Sequence, residues 1–218
     1  MNKFRYNISD FDFSLKVRSY LDCDSLDDIH IHDKFKGILT DVDGEFSDQG
    51  QDLHLKFYRS MDNDPSFKQL YDKFVKEVIR LNFEHDIIYQ KYPTFRIHQP
   101  DNICVFEWHK DKEFNHNPKE INVYLPITSA FGTNTFWTET SEDKGDYFPV
   151  EAEHGEYILW NGANLRHGNK INDTSKTRIS FDFRIMKYAD YDESISNNNG
   201  LTKKTKFIIG DYFDEKII

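Results

Sequence analysis

Three side chains have the types and spacing that could hold a divalent metal ion. His109 and Asp111 are separated by a single residue, and His167 lies 58 positions after His109. Side chains at positions i and i+2 of a strand leave the same face, so His109 and Asp111 could reach one ion while Lys110 points away. Two histidines and one carboxylate can bind a divalent ion and leave coordination positions open for other ligands. The pattern therefore predicts a metal site that a distant strand completes.

Composition alone makes an isolated match to this pattern uninformative. Nine histidines and 38 acidic residues in 218 positions give about 1.6 His-x-acid matches by chance. The sequence has two, at His109-x-Asp111 and at His154-x-Glu156. The second begins a predicted strand and has only His167, eleven residues after His154, as a downstream partner. The first leaves room for about four strands before His167, and we predict that it binds the metal.

A strand over residues 177–185 supplies a candidate anion site. Alternation along a strand places one set of side chains on one face, namely Arg178, Ser180, Asp182 and Arg184. Several polar groups on one buried face are costly unless a ligand or water pairs with them, and an arginine fork suits a carboxylate. A sheet with a solvated outer face would show the same alternation, and this pattern leaves both alternatives open.

The elements around these residues are mostly short strands. Turn signals separate β-rich runs over 94–98, 103–108, 121–125, 133–138, 156–160 and 177–185, which is typical of an antiparallel sandwich or jelly roll. One helix is predicted, with Asp64 as its cap, Pro65 at its first position and apolar residues at helical spacing up to Ile79. Residues 194–200 are predicted to form a loop before a last strand over 207–213.

Composition limits the class of protein and its partners. A chain of 218 residues fits one domain. The net charge, 28 minus 38 or −10, and the lack of a basic run argue against nucleic acid as a partner. Cys23 and Cys104 form no CxxC pair, which fits a reduced compartment. Without an apolar run that could serve as a signal peptide or membrane span, we expect a cytoplasmic protein with no membrane partner.

These motifs together resemble the Fe(II)/2-oxoglutarate-dependent oxygenases. The resemblance rests on His109-x-Asp111, His167-Gly168 and Arg178-x-Ser180 occurring in this order, on predicted strands and with suitable gaps. Within these oxygenases, the sequence is most similar to the branch named for the streptomycin-biosynthesis oxygenase. The text that carries this closer similarity is Trp108-His109-x-Asp111, Asn122-x-Tyr124-Leu125-Pro126-Ile127, Asn134-Thr135-x-Trp137-x-Glu139 and Arg178-x-Ser180-Phe181-Asp182-Phe183-Arg184.

The resemblance implies a fold and a set of cofactors. The fold would be mainly β with flanking helices, a double-stranded β-helix of the cupin-like jelly-roll type. Its core would span about 94–185, between N-terminal strands and a helix in 1–93 and a C-terminal extension in 186–218. His109, Asp111 and His167 would be the catalytic Fe(II) ligands, with positions left for 2-oxoglutarate and O2. Arg178, assisted by Ser180, would bind the distal carboxylate of 2-oxoglutarate.

Other residues are candidates for the walls of the same pocket. Asn122 and Tyr124 resemble residues that line the co-substrate site, although a buried tyrosine with one hydrogen bond would fit equally well. Arg184 is an alternative partner for the carboxylate. The remaining candidates, all for contact with substrate, are Arg96, His98, Glu107, Trp137, Glu139 and Arg184.

The expected activity is that of a dioxygenase of the hydroxylase type, with a small molecule as substrate and succinate and CO2 as co-products. An amino acid, a guanidino compound, an aminocyclitol or a sugar derivative would fit, and no motif indicates an oligomeric state. One alternative is a cupin-like metal protein without oxygenase activity, which would not explain Arg178-x-Ser180. Another is a carbohydrate-binding β-sandwich that uses Trp108, Trp137 and Trp160 as stacking surfaces.

Overall fold

The computed structural model describes residues 1–33, 52–105, 107–193 and 205–218. Three α-helices lie in its first part: α1 (Phe13–Leu21), α2 (Asp52–Asn63) and α3 (Pro65–Phe74). Short 3-10 turns occupy Ile29–Ile31, Arg80–Asn82, Asp111–Phe114 and Tyr188–Asp190. The strands are β1 (Asn2–Arg5), β2 (Ile87–Tyr89), β3 (Thr94–His98), β4 (Ile121–Pro126), β5 (Phe136–Thr138), β6 (Phe148–Pro149), β7 (Glu156–Trp160), β8 (His167–Asn169) and β9 (Arg178–Lys187).

The strands form two antiparallel sheets. The larger has the order β1-β7-β4-β9-β2, with β3 also paired to β9, and the smaller has the order β6-β5-β8. Buried residues from both sheets, among them Tyr124, Phe136 and Trp160, pack into one cluster, so the sheets face each other. The prediction of a mainly β protein with flanking helices is confirmed, while the double-stranded β-helix and the single domain stay predictions.

Helix α3 begins as its sequence predicts. The Asp64 carboxylate accepts a hydrogen bond from the backbone nitrogen of Ser66 at 2.9 Å, and Pro65 occupies the first turn. The helical path continues to Ile79, but its last part, Val75–Ile79, is wound as a π-helix. Its buried face comprises Phe67, Tyr71, Phe74, Val75 and Ile79, so the predicted apolar stripe is core.

An aromatic core fills the space between the helices and the larger sheet. The residues of β9 that face it, Ile179, Phe181, Phe183 and Ile185, alternate with the polar set that begins at Arg178. The Phe57 ring from α2 stacks on Phe95 at 4.0 Å between ring centroids and lies 5.6 Å from Phe181. Because one face of β9 is sealed by this core, its polar face must turn toward the smaller sheet.

Truncation of Phe57 should show how much this core contributes to stability. Phe57→Ala is expected to lower the free energy of unfolding by about 3–5 kcal/mol, since it removes a fully buried ring and leaves a cavity. Urea unfolding followed by circular dichroism would measure the loss. Leu81→Ala, at a residue that is 79% exposed, is the control and should change stability by less than about 0.5 kcal/mol. A loss below about 1 kcal/mol in Phe57→Ala would contradict this account of the core.

Two predicted strands are wrong. The described residues of 103–108 form no strand. The backbone N–H of Ile103 donates to the Asn102 side-chain oxygen at 2.8 Å instead of to a neighbouring strand. Backbone pairing starts only at an isolated bridge between His109 and His167. Residues 207–213 form turns with isolated bridges. The strand predicted over 133–138 is shorter, since only Phe136–Thr138 pair. The loop predicted over 194–200 lies outside the described residues.

None of the helices among the described residues is long and apolar enough to cross a lipid bilayer.

Candidate metal centre

Backbone pairing brings the two predicted histidine ligands together. The N–H of His109 donates to the carbonyl of His167, and the N–H of His167 donates to the carbonyl of His109, both at 2.9 Å. Asp111 begins a 3-10 turn directly after this bridge. Its Oδ1 lies 3.5 Å from Nε2 of each histidine, and the ligand atoms of the three residues all lie within 4.8 Å of one another. The cluster was predicted from spacing along a strand, but a bridge followed by a turn produces it.

Local hydrogen bonds orient both imidazole rings. Nδ1 of His109 lies 2.9 Å from the carbonyl oxygen of Glu107, and Nδ1 of His167 lies 2.9 Å from that of Leu165. A carbonyl can only accept, so each Nδ1 carries a proton, and in the neutral form of each ring Nε2 would offer a lone pair toward Asp111. Burial lowers the pKa of His167 to about 4, which keeps that ring neutral and able to bind metal at neutral pH.

Asp111 presents one oxygen to the histidines and is held by the other. Oδ2 accepts hydrogen bonds from Asn122 Nδ2 at 2.7 Å and from Arg184 Nε and Nη2 at 3.2 and 3.0 Å. Burial opposes ionisation of this carboxyl, which is 2% exposed. The Arg184 guanidinium and the nearby histidines together outweigh burial and hold the pKa of Asp111 well below its usual range. The carboxylate is therefore charged, and its free Oδ1 completes a set of ligands that suits a divalent ion.

A cavity between the two sheets extends away from this cluster. Strands β3, β4, β5, β7, β8 and β9 all contribute to its wall, and the lining includes the two histidines together with Arg96, Asn122, Tyr124, Phe136, Trp160, Arg178, Ser180, Asp182 and Arg184. The structure thus gathers most of the predicted site residues around one space.

Arg178 lies in this wall as a buried cation. It is 2% exposed, donates from Nε to the Asn134 carbonyl at 3.0 Å and from Nη1 to Ser180 Oγ at 2.8 Å. Among the described residues no carboxylate forms an ion pair with it, whereas Arg184 on the same strand has two such partners. Tyr124 lines the same wall, and its hydroxyl lies 3.4 Å from Thr135 Oγ1. A buried guanidinium without a carboxylate partner suits an anionic ligand.

Two residues predicted to contact substrate belong to an ion-pair chain, and their contact with substrate stays a prediction. Arg184 binds Asp111, as described above, and its Nη1 donates to Asp182 Oδ2 at 2.8 Å. Arg96 Nε donates to Asp182 Oδ1 at 3.1 Å. Both arginines line the cavity, and Arg184 also holds the Asp111 carboxylate in place.

Three further predicted residues do not line the cavity. Trp137 is covered by the Lys170 ammonium, 3.3 Å from its ring centroid, and its Nε1 donates to the Gly132 carbonyl. The Glu139 carboxylate accepts from the backbone nitrogens of Arg166 and Gly145 at 2.7 and 3.1 Å, so it shapes the turn before β8. Glu107 is exposed, and its backbone carbonyl rather than its side chain contacts His109.

Other residues near the site were not predicted or were given another role. Phe136, the neighbour of Trp137, turns into the cavity, and Trp160 packs perpendicular to His167 at 4.8 Å between ring centroids. The sequence signal for Phe136 is strand parity alone, which does not say which face is inside. His98 is buried outside the lining, with its ring nitrogens 2.9 Å from the carbonyls of Asn134 and Asn102.

The fold and the site together define a mainly β protein with a candidate metal centre between two sheets. The chain is 31% identical over 214 residues to the streptomycin biosynthesis protein StrG of Streptomyces griseus, an alignment that covers 97% of this chain and 96% of StrG. The chain belongs to the StrG family. No family model matches the sequence.

Several solved structures are similar over most of the chain. A nickel complex of the non-heme monooxygenase ThoJ is 12% identical with a TM-score of 0.47, covering 84% of this chain and 71% of ThoJ. AviO1 from Streptomyces viridochromogenes is 14% identical with a TM-score of 0.44, covering 84% of this chain and 87% of AviO1. An oxidoreductase of the 2OG-Fe(II) oxygenase family from Burkholderia pseudomallei is 13% identical with a TM-score of 0.38, covering 63% and 54%.

Gly168 should be required for the close packing beside His167. A Cβ added at Gly168 would lie 2.6 Å from the ring of Trp108, so Gly168→Ala is expected to destabilise the protein by about 1–3 kcal/mol through overpacking. Chemical unfolding measures the loss. In a Trp108→Leu background the same substitution should cost less, because the ring that it meets is gone. An equal cost in both backgrounds would contradict the steric explanation.

Proposed function

We propose that the protein is an Fe(II)- and 2-oxoglutarate-dependent oxygenase of the hydroxylase type that acts on a small molecule. The observation that carries this proposal is the presence, in one cavity, of the His109–Asp111–His167 cluster and of Arg178, a buried cation without a carboxylate partner among the described residues. A metal centre with open positions and a separate site for a carboxylate are what a 2-oxo diacid needs. On this proposal the two sheets are the halves of a double-stranded β-helix.

The residues present fit the proposed cofactors. Two imidazole nitrogens and one carboxylate oxygen are the ligand set typical of non-heme Fe(II) sites with open positions. When bound, Fe(II) supplies O2 activation coupled to the decarboxylation of 2-oxoglutarate to succinate and CO2. Arg178 and Ser180 would bind the distal carboxylate of the co-substrate, so that its oxo-acid end is directed at the ligand cluster. Phe136 and Trp160 would exclude water from the space around the bound 2-oxoglutarate, between its distal carboxylate and its oxo-acid end.

A small substrate agrees with the relative and with the charge. StrG is named for streptomycin biosynthesis, and streptomycin is a small molecule. The net charge of −10 disfavours nucleic acid. An amino acid, a guanidino compound, an aminocyclitol or a sugar derivative therefore remains our proposal for the substrate class, and the cytoplasm our proposal for its location.

The carbohydrate-binding alternative is weakened by where the tryptophans lie. Trp108 and Trp137 lie outside the cavity wall, and Trp160 is only 6% exposed. A stacking platform for sugars would need exposed rings on a common surface.

Anaerobic titration of the purified protein with Fe(II) and 2-oxoglutarate tests the proposal. We expect a weak visible charge-transfer band that requires both components. Iron binding at one ion per chain without such a band would overturn the 2-oxoglutarate assignment and favour a cupin-like metal protein. Absence of iron binding, with saccharide binding retained, would favour the carbohydrate module.

A further inference from the structure

One chain of charged contacts leads from the cavity wall to the metal-ligand cluster. Each oxygen of Asp182 has its own arginine, with Oδ1 3.1 Å from Arg96 Nε and Oδ2 2.8 Å from Arg184 Nη1. Arg184 then uses its two other donor nitrogens, Nε and Nη2, on Asp111 Oδ2. Asp182 is therefore one residue removed from the carboxylate that faces the histidines.

The geometry of Arg184 depends on both carboxylates. With only Asp111 as partner, a flexible arginine could rotate about its side-chain bonds and donate through other nitrogens. With Nη1 fixed on Asp182, the planar guanidinium can reach Asp111 only through Nε and Nη2. This arrangement occupies Oδ2, which Asn122 also contacts at 2.7 Å, and leaves Oδ1 for the histidine side.

The charges of Asp182 and Arg184 also affect how strongly Asp111 can bind a cation. A guanidinium against Asp111 competes with a divalent cation for the negative charge of that carboxylate. Asp182 offsets the guanidinium, because its side chain is only 18% exposed and that of Arg184 is 10% exposed, so water screens the pair weakly. Burial opposes ionisation of Asp182, yet Arg96 and Arg184 keep its pKa below the usual range.

We infer that Asp182 is a positioning residue of the metal centre, which acts on Asp111 through Arg184 and sets how tightly a divalent ion binds. The inference rests on the proposed metal function. It gives Asp182 a role on the metal side of the polar face of β9, separate from that of Arg178 and Ser180.

Titration of the metal-free protein with Co(II), followed by visible absorption, tests the inference without substrate. Asp182→Asn is expected to raise the Kd for Co(II) about 10-fold, the low end of the effect of losing a direct partner of a metal ligand, because Asp182 acts only through Arg184. The Co(II) bands should shift as well. The matched control is Glu156→Gln, which removes another carboxylate with two ion pairs, to Lys3 and Arg5, and it should leave the Kd within about twofold. A wild-type Kd in Asp182→Asn, even with a lower free energy of unfolding, would overturn the inference.

A double-mutant cycle tests the route through Arg184. In an Arg184→Gln background, Asp182→Asn should change the Kd by less than about twofold, because its path to Asp111 is already removed. Full additivity would overturn that route. If Asp182→Asn does not fold, Asp182→Glu keeps the charge but moves the carboxylate by one methylene, and a wild-type Kd there would also overturn the inference. A wild-type protein that binds no Co(II) would overturn the metal function as well, which distinguishes the two failures.

Discussion

Replacing Arg178 with methionine is expected to weaken 2-oxoglutarate binding strongly while leaving the fold intact. Loss of one partner from a buried charge pair costs about 2–5 kcal/mol of binding free energy, which is roughly a 30-fold to several thousand-fold increase in Kd. In the free protein, however, no carboxylate among the described residues pairs with Arg178, so the substitution leaves no partner charge uncompensated. We therefore expect its free energy of unfolding to fall by less than about 1 kcal/mol.

Arg184 provides the matched comparison on the same strand. It is also buried, at 8% exposure, but it pairs with Asp111 and Asp182. Arg184→Met leaves two carboxylates with a missing partner and should cost about 3–5 kcal/mol of stability. Isothermal titration of Zn(II)-loaded protein with 2-oxoglutarate, together with urea unfolding, measures both quantities. An Arg178→Met variant that binds 2-oxoglutarate like the wild type would contradict the assignment of the carboxylate site.

The contrast between these two arginines also shows what the sequence can specify about the site. Strand alternation correctly places Arg178 and Arg184 on the polar face of β9. Alternation does not tell which of the two arginines has a carboxylate partner among the described residues. That depends on Asp111, which lies in a turn more than sixty positions earlier. It depends equally on register, since Asn122 of β4 lies opposite Arg184.

The structure brings His109, Asp111 and His167 together in a different way from the one that their spacing suggests. The i, i+2 spacing of His109 and Asp111 indicates a shared strand face, but the residues before His109 form no strand in the part that is described. The pair of backbone hydrogen bonds between His109 and His167 places the two imidazoles next to each other instead. Sequence spacing therefore selected three residues that the structure brings together, and their role as metal ligands stays a prediction. The backbone hydrogen bonds that join His109 and His167 are long-range and leave no local signal.

Local sequence signals are informative for helix α1 but not for the short strand β5. Helix α1 has a capping aspartate, Asp12, whose side chain accepts from the backbone nitrogen of Leu15 at 2.8 Å, and its buried residues Phe13, Val17, Tyr20 and Leu21 follow helical spacing. In β5, by contrast, only three residues pair. Too few alternations exist in such a strand to decide between Phe136 and Trp137 as the inward side chain.

The Asp111→Asn substitution should have the largest effect on metal binding. It preserves the shape of the side chain but removes the negative charge that faces both imidazoles, and Oδ1 is the oxygen not already used by Arg184 and Asn122. Outer partners of metal ligands are worth about 10–100-fold in affinity, so loss of a charged ligand should weaken Fe(II) or Co(II) binding by more than about 100-fold.

A nearby histidine outside the cluster supplies the control for this substitution. His116 lies five positions after Asp111 and pairs with Glu120 at 2.8 Å, so His116→Gln should bind Co(II) with a wild-type Kd. Equilibrium dialysis with metal analysis would compare the two variants and the wild type at equal protein concentration. If Asp111→Asn retained the wild-type Kd while His116→Gln weakened binding, the metal would bind beside His116 rather than at the bridge between His109 and His167.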